Sequence, residues 1–167
     1  MTPSRTIIIG LISDTHGLLR PEAIAALAGS DLIVHAGDIG SPEVLAGLSR
    51  IAPVTAIRGN VDRGDWAANL PPTEILQCGE TFIYIVHNLA ELDLDPAAAG
   101  FQVVVSGHSH SPRIYEKDGV LFVNPGSAGP RRFSLPIAVG RLTLTDGRVT
   151  AELIELDGGK RRLQEAG

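Results

Sequence analysis

One cysteine in 167 residues excludes an intrachain disulfide and any zinc site built on thiolates. The neighbours of Cys78, Glu74 to Gln77, read as a strand, so a buried, inert thiol is expected. Aromatic residues are only 4% of the chain, so a core has to come from Ile, Val, Leu and Ala. No apolar run reaches the roughly 18 residues of a membrane span. No apolar stretch followed by a cleavage site opens the chain, because Thr6 to Ser13 runs straight into Asp14. A cytoplasmic address with no membrane partner is the resulting expectation. Positive charge is also short: 14 Lys and Arg stand against 19 Asp and Glu, a net charge of −5 that repels bulk nucleic acid. A small phosphate-bearing substrate is not excluded by that field. Repeats, linkers and low-complexity blocks are missing too, and 44% hydrophobic content at this length suits one domain over 1–167. Its core is expected over about 6–156, with a polar tail, 157–167, that frays.

What is present alternates. Thr6 to Ser13 is an apolar, β-branched run, as in a strand buried on both faces. Pro21 to Ala28 reads as a helix whose Ile24, Leu27 and Ala28 share a face. Asp31 to Ala36 is a second strand. Ser41-Pro42-Glu43 opens a second helix with an N-cap and an N1 proline, and Val44, Leu45, Leu48 and Ile51 form its stripe. Pro53 to Arg58 is a third strand, and this order implies parallel pairing. Beyond residue 70 hairpins take over. Cys78-Gly79-Glu80, Asp118-Gly119 and Asp146-Gly147 mark turns between paired strands. Gln102 to Ser106 is another buried strand, and a short helix is expected around Pro96 to Ala99. Two sheets packed face to face, with helices outside, follow.

Histidine is sparse, and its positions are informative. Four of the five fall in Asp14-Thr15-His16, Val86-His87-Asn88 and Gly107-His108-Ser109-His110. Gly37-Asp38 and Gly59-Asn60-Val61-Asp62 lie between the first two. Each block ends an apolar run, and ligands of open α/β sheets bind outside the carboxyl ends of strands. Seven side chains of metal-ligand type therefore share one predicted location: Asp14, His16, Asp38, Asn60, His87, His108 and His110. One metal rarely needs seven protein ligands, whereas two metals sharing a bridging carboxylate would use them all. Carboxylate, imidazole and amide oxygen together suit Mn, Zn, Fe, Ni or Co, with Mn²⁺ favoured. Singly, each residue also has a plain reading: Asp14 and Asp38 as turn or cap residues, His16 as a loop residue, His87 as a satisfied histidine at a strand end. His108 and His110 would face opposite sides of a continuing strand, so a bend near Gly107 and Pro112 must bring both inward.

As an ordered set, these blocks resemble the five motifs of the calcineurin-like metallophosphoesterases, over roughly residues 6–156. The short length and Asn124-Pro125-Gly126-Ser127 resemble the small phosphodiesterase branch that also contains the retromer scaffold subunit. The resemblance implies a four-layer α/β/β/α sandwich and two divalent metal ions. Asp14, His16 and His110 would hold the first, Asn60, His87 and His108 the second, and Asp38 would bridge them. Asp38, Asn60 and His108 are the positions assigned to catalysis. The implied reaction is hydrolysis of a phosphodiester by in-line attack of a metal-activated water. A phosphomonoesterase and a non-catalytic metal-binding scaffold of the same fold are the alternatives. The partner expected is a small phosphate ester, with a homo-oligomer allowed.

One position departs from the family. Many larger members carry a histidine after the Gly-Asn pair, where this chain has Val61, which cannot give a proton to a leaving group. Asp62 keeps the block's acid, in an expected hydrogen-bonding role behind the ligands. His35 is no ligand position; a core histidine is one reading and a group that orients a ligand the other. Asn124 to Ser127 is either a structural turn or a wall of the site. Arg58, Arg63, Arg131 and Arg132 are surface charge or phosphate contacts. Trp66 is a loop anchor or a stacking platform.

Overall fold

A computed structural model of the protein describes residues 3–156 and 161–166. The first sheet is built on three parallel strands, β1 (Thr6–Ile12), β2 (Leu32–His35) and β3 (Val54–Ala56). Helices α1 (Pro21–Leu27) and α2 (Pro42–Ser49) are the crossovers between them. The second sheet holds β4 (Thr73–Cys78), β5 (Thr81–Val86), β6 (Val103–Val105), β7 (Arg113–Lys117) and β8 (Val120–Asn124), in the order β4-β5-β6-β8-β7. Its inner strands β5, β6 and β8 are parallel, and its two edge strands are antiparallel. The chain then returns to the first sheet as β9 (Ala138–Thr145), β10 (Arg148–Glu155) and β11 (Arg161–Ala166), giving β11-β10-β9-β1-β2-β3. Both sheets are therefore mixed, as the alternation followed by hairpins predicts.

The period-two pattern of the strands separates three apolar clusters. Ile9 and Leu11 of β1 and Val34 of β2 join Ile83, Ile85, Val103 and Val105 of the second sheet in one cluster between the sheets. Ile33, on the opposite face of β2, packs with Leu27 of α1 and with Val44 and Leu48 of α2. Tyr84, Val104 and Phe122, on the far face of the second sheet, pack with Phe101, Leu89 and Leu92. Among the described residues no helix is long and apolar enough to cross a membrane.

Four local expectations change. The inward face of α1 is Ala23, Ala26 and Leu27, whereas Ile24 and Ala28 are exposed. Leu27 is the large residue of this face, and its side chain fills the space over Gly10 of β1, where a Cβ would lie 2.7 Å from it. Pro96 to Ala99 forms turns, not a helix. The Asp95 carboxylate takes the Ala97 and Ala98 N–H groups, and Gly100, at φ 88°, ends the segment before a helix can nucleate. The outer layer of the second sheet is thus loop and a short 3-10 turn, Leu89–Glu91. The tail expected to fray over 157–167 instead forms β11 over 161–166, antiparallel to β10, with the Gln164 amide bonded to both N–H and C=O of Ile114. The rest of that expected tail, 157–160 and 167, lies outside the described residues. Cys78 is only half-buried, at the end of an edge strand; burial still raises its thiol pKa.

The hairpin predictions hold in detail. Asp118-Gly119 and Asp146-Gly147 have positive φ at both residues and join directly paired strand ends, Lys117 to Val120 and Thr145 to Arg148. Ile85 is fully buried between the sheets. Ile85→Ala should therefore cost about 2–5 kcal/mol in urea unfolding, by lost burial and the cavity left behind. The exposed Ile24→Ala should cost under about 1 kcal/mol in the same measurement.

Candidate metal centre

Five parallel strands, β1, β2, β3, β5 and β6, deliver the seven expected residues just past their carboxyl ends. Backbone conformation, not strand direction, turns the side chains together. Asp14, His16, Asp38, His108 and His110 all adopt left-handed φ, between 47° and 69°. Few non-glycine residues do so. This is how His108 and His110, two apart, both reach one site.

Two trios of donor groups result: Asp14, His16 and His110, and Asp38, His87 and His108. In the first, His110 Nε2 is 3.4 Å from Asp14 Oδ1 and 3.4 Å from His16 Nε2. In the second, His87 Nε2 is 3.3 Å from Asp38 Oδ2. The Asn60 amide joins the second, with Oδ1 3.0 Å from His87 Nε2 and 3.3 Å from His108 Nδ1. The trios adjoin: Asp38 Oδ2 is 3.8 Å from His16 Nε2, and Asp14 Oδ1 is 3.9 Å from His87 Nε2. Donors at about 2.1 Å from one cation stand about 3.0–3.4 Å apart, close to these spacings.

The donor set fits a cation on a stricter test. Asp14 is fully buried, and its Oδ2 accepts the Ser13 hydroxyl at 2.6 Å and the His108 N–H at 3.0 Å. Its Oδ1 is buried with no hydrogen-bond partner and faces His110 Nε2. A buried carboxylate oxygen left this way loses its hydration without compensation, unless a positive charge sits beside it. His87 Nδ1–H donates to the Ala36 carbonyl at 2.7 Å, which directs the other ring nitrogen inward. The orientation of the Asn60 amide decides between two states. Nitrogen inward, it donates to the Asp38 carboxylate at 3.2 Å; oxygen inward, it offers a ligand atom.

Electrostatics agree. Burial would raise the Asp38 pKa, but the hydrogen bonds from His87 and the Val61 N–H, with the nearby imidazoles, outweigh it and hold the carboxyl at about 2. Burial would lower His87, yet its bonds to Asp38 and the Ala36 carbonyl raise it. Burial lowers His16 against the pull of Asp38 and Asp14.

Several positioning groups lie behind the donors. The Asp62 carboxylate accepts N–H bonds from Ile39, Gly40 and Gly59 at 2.9–3.1 Å, tying the loop after β2 to the loop after β3. This matches the role expected of it. Asn124 to Ser127 is a structural turn that also braces the site. The Asn124 amide donates to the Gly107 carbonyl, and the Ser127 hydroxyl donates to the Asp14 carbonyl. His35 is fully buried; its Nδ1 accepts the Gly37 N–H and its Nε2–H donates to Thr15, whose hydroxyl donates to the Ile39 carbonyl. It is a core histidine that links two ligand loops. Gly107 is required by close approach, since a Cβ there would lie 2.7 Å from Asp14 Oδ2. Ser13, Asn124 and Ser127 carry no signal of this role in their local sequence. Trp66 packs on the cluster under α2 as a loop anchor. Arg63 is exposed, Arg131 bonds the Leu135 carbonyl, and Arg132 lies within electrostatic reach of His16.

A sequence profile of the calcineurin-like phosphoesterase superfamily domain matches residues 7–147. A probable metallophosphoesterase of Methanocaldococcus jannaschii is 34% identical over 165 residues, covering 91% of this chain and 83% of that protein. Another, from Methanothermobacter thermautotrophicus, is 32% identical and covers 89% of this chain and 92% of its own length. Among solved structures, Vacuolar Protein Sorting 29 from Cryptosporidium parvum superposes with a TM-score of 0.83 at 23% identity, over 96% of this chain and 97% of that one. At that identity the likeness is one of fold.

His35 generates a pH prediction. Burial lowers its pKa from 6.5 to about 4. The unfolded chain therefore takes up the proton first as pH falls. The stability His35 contributes is complete above pH 6.5 and is lost as pH falls through about 4, a total of about 3 kcal/mol. His87, shifted upward, acts in the opposite sense and is common to both proteins compared. Urea unfolding of the metal-free protein between pH 7 and pH 4.5 should show a steeper loss of stability in the parent than in His35→Gln. Parallel profiles would refute this assignment.

Proposed function

The chain belongs to the calcineurin-like phosphoesterase superfamily, and from that premise of metal-dependent phosphoester hydrolysis we propose a phosphodiesterase that works with two divalent cations. Asp14, His16 and His110 would hold one cation, and Asn60, His87 and His108 the other, with Asp38 between them. The observation that carries this reading is the Asp14–Asp38 pair. Two buried carboxylates face the imidazoles of His16, His87 and His110 at 3.3–3.9 Å, and one carboxylate oxygen has no other partner. Bound there, such cations supply Lewis acidity to the phosphate oxygens and activate a water near neutral pH. An imidazole, carboxylate and amide set with no thiolate suits Mn²⁺, Zn²⁺, Fe²⁺, Ni²⁺ or Co²⁺, and Mn²⁺ is the ion we favour.

The protein's own contribution is orientation. The bond from His87 Nδ1 to Ala36 fixes that ring, and the Val61 N–H on Asp38 Oδ1 at 3.0 Å turns Oδ2 toward His16 and His87. Asn60 and His108 are the exposed members of the set, so substrate enters beside them. Val61 supplies no proton, and general acid catalysis ordinarily contributes about 10²–10⁴-fold. The departing oxygen must then leave as an anion. That favours good leaving groups, and a singly charged diester over a dianionic monoester in an acidic protein.

Elemental analysis of protein saturated with Mn²⁺ should give two equivalents. Asp38→Asn should reduce both and lower kcat/KM by at least about 10²-fold, whereas His16→Ala should chiefly empty the first site. A stoichiometry that never exceeds one would overturn the dinuclear reading.

Bis(p-nitrophenyl) phosphate should be hydrolysed with a higher kcat/KM than p-nitrophenyl phosphate, and aryl diesters far faster than alkyl ones. A clear monoester preference would replace the diesterase with a monoesterase. No turnover of either with both sites filled would favour a metal-binding scaffold of the same fold.

A further inference from the structure

A trough of about 560 Å³ opens beside the second trio and is lined by Asn60, His87 and His108 at the metal centre. Its volume falls within the usual range for a small-molecule site. Tyr84 and Val86, from the outward face of β5, give it an apolar surface. Three charged side chains line it as well. Arg58 is half-buried, and its guanidinium has no hydrogen bond or ion pair among the described residues. Only its backbone is engaged, through the N–H donated to the Pro71 carbonyl at 2.8 Å. Glu91 and Asp93 are the other two, both exposed. Their position is built: the Asn88 side chain accepts the Ala90 N–H and so caps the 3-10 turn that ends at Glu91. Asn88 lines the trough too.

Arg58 lies two residues before Asn60, on the loop after β3. Glu91 and Asp93 lie four and six residues past His87, on the loop after β5. An anion bound beside Asn60, His87 and His108 therefore shares the trough with one cation and two carboxylates; the cation is the group that attracts it, and the carboxylates are left to the group attached to it. A second anionic group on that attachment would be repelled, a hydroxyl would find acceptors, and an ammonium would be attracted.

We propose that this trough is the subsite for one ester arm of a phosphodiester, with Arg58 on the phosphate and with Glu91 and Asp93 selecting a cationic or hydroxylated arm over one bearing a second anion. This rests on the phosphodiesterase reading above. It excludes from the preferred substrates any diester whose two arms both continue into phosphates, as in a nucleic-acid chain.

The test uses the metal-loaded protein and three methylphosphonate monoesters, with 2-aminoethyl, 2-hydroxyethyl and 2-carboxyethyl arms, as competitive inhibitors of bis(p-nitrophenyl) phosphate hydrolysis. Each inhibitor carries one charge on phosphorus and a single arm. At neutral pH and low ionic strength, Ki should rise from amino to hydroxy to carboxy, with about tenfold between the extremes. In Glu91→Gln/Asp93→Asn the extremes should fall within about twofold, which a merely structural role for the two acids would not produce. Arg58→Gln should weaken all three alike. A Ki independent of arm charge, or a spread that survives in the double variant, overturns the subsite while diester turnover continues. If no diester is turned over, the phosphodiesterase reading fails by itself. Calorimetric binding of the same monoesters then tests the trough directly, and equal affinities overturn it.

Discussion

Left-handed backbone at five donor residues is the constraint around which the rest of this fold is arranged. Asp14, His16, Asp38, His108 and His110 each adopt it, at about 1–3 kcal/mol apiece for a residue with a side chain. The turns at His16 and His108 each close on a bond of their own, Leu18 N–H to the Thr15 carbonyl and Ser109 N–H to the Gly107 carbonyl, and the rest of the cost falls on the fold. It is offset by bonds from elsewhere in the chain. The Asp62 carboxylate gathers three N–H groups from two loops, Asn124 holds the Gly107 carbonyl, and Ser127 holds the Asp14 carbonyl. The backbone adds Asp14 N–H to the Gly37 carbonyl and His16 N–H to the Asp38 carbonyl, which lace the first two ligand loops together. Groups that never touch substrate thus set the positions of those that do.

The parallel strands explain why so many donors can be strained at once. Each strand brings rigid backbone to the same edge and ends there, so each donor lies within one to five residues of a strand end. The apolar cluster between the sheets fixes the spacing of the edges. Ile9 and Leu11 behind Asp14 pack with Ile83 and Ile85 behind His87, and with Val105 behind His108. A site spanning two sheets inherits its precision from that interface. The same crowding concentrates charge. His87 Nε2 stands 3.3 Å from Asp38 Oδ2, and Asp14 Oδ1 is buried with no hydrogen-bond partner.

Much of this was legible because it is encoded locally. A buried parallel strand is a short apolar run, a two-residue hairpin is Asp-Gly, and a ligand at a strand end is a polar residue where the run stops. The seven donors and the mixed sheets could be read in that way. The illegible parts depend on distant neighbours. The inward face of α1 is Ala23, Ala26 and Leu27, and Gly10 across the layer makes room for the Leu27 side chain. β11 is an edge strand with polar composition, and pairing with β10 is backbone chemistry that leaves no apolar alternation to read. The layer over the second sheet is held by scattered leucines and Phe101, not by a periodic helix. Asn124 and Ser127 read as an ordinary turn because their partners, Gly107 and Asp14, are 17 and 113 residues away.

Position 61 joins these strands of argument. The valine side chain is 43% exposed, while the Val61 N–H is bonded to Asp38 Oδ1. The position therefore serves the site through its backbone, a service that any residue except proline can supply. Substitution of the side chain leaves the Asp38 orientation intact and removes only a proton donor from the mouth of the site. Loss of a histidine at this point is consequently compatible with a fully assembled donor set. On the proposed reaction the demand then shifts to the leaving group, which would carry its own negative charge into solvent. In the proposed subsite Arg58 and the carboxylates of Glu91 and Asp93 would act on a different part of the substrate, so selection of the arm and departure of the leaving group would be separable properties of one site.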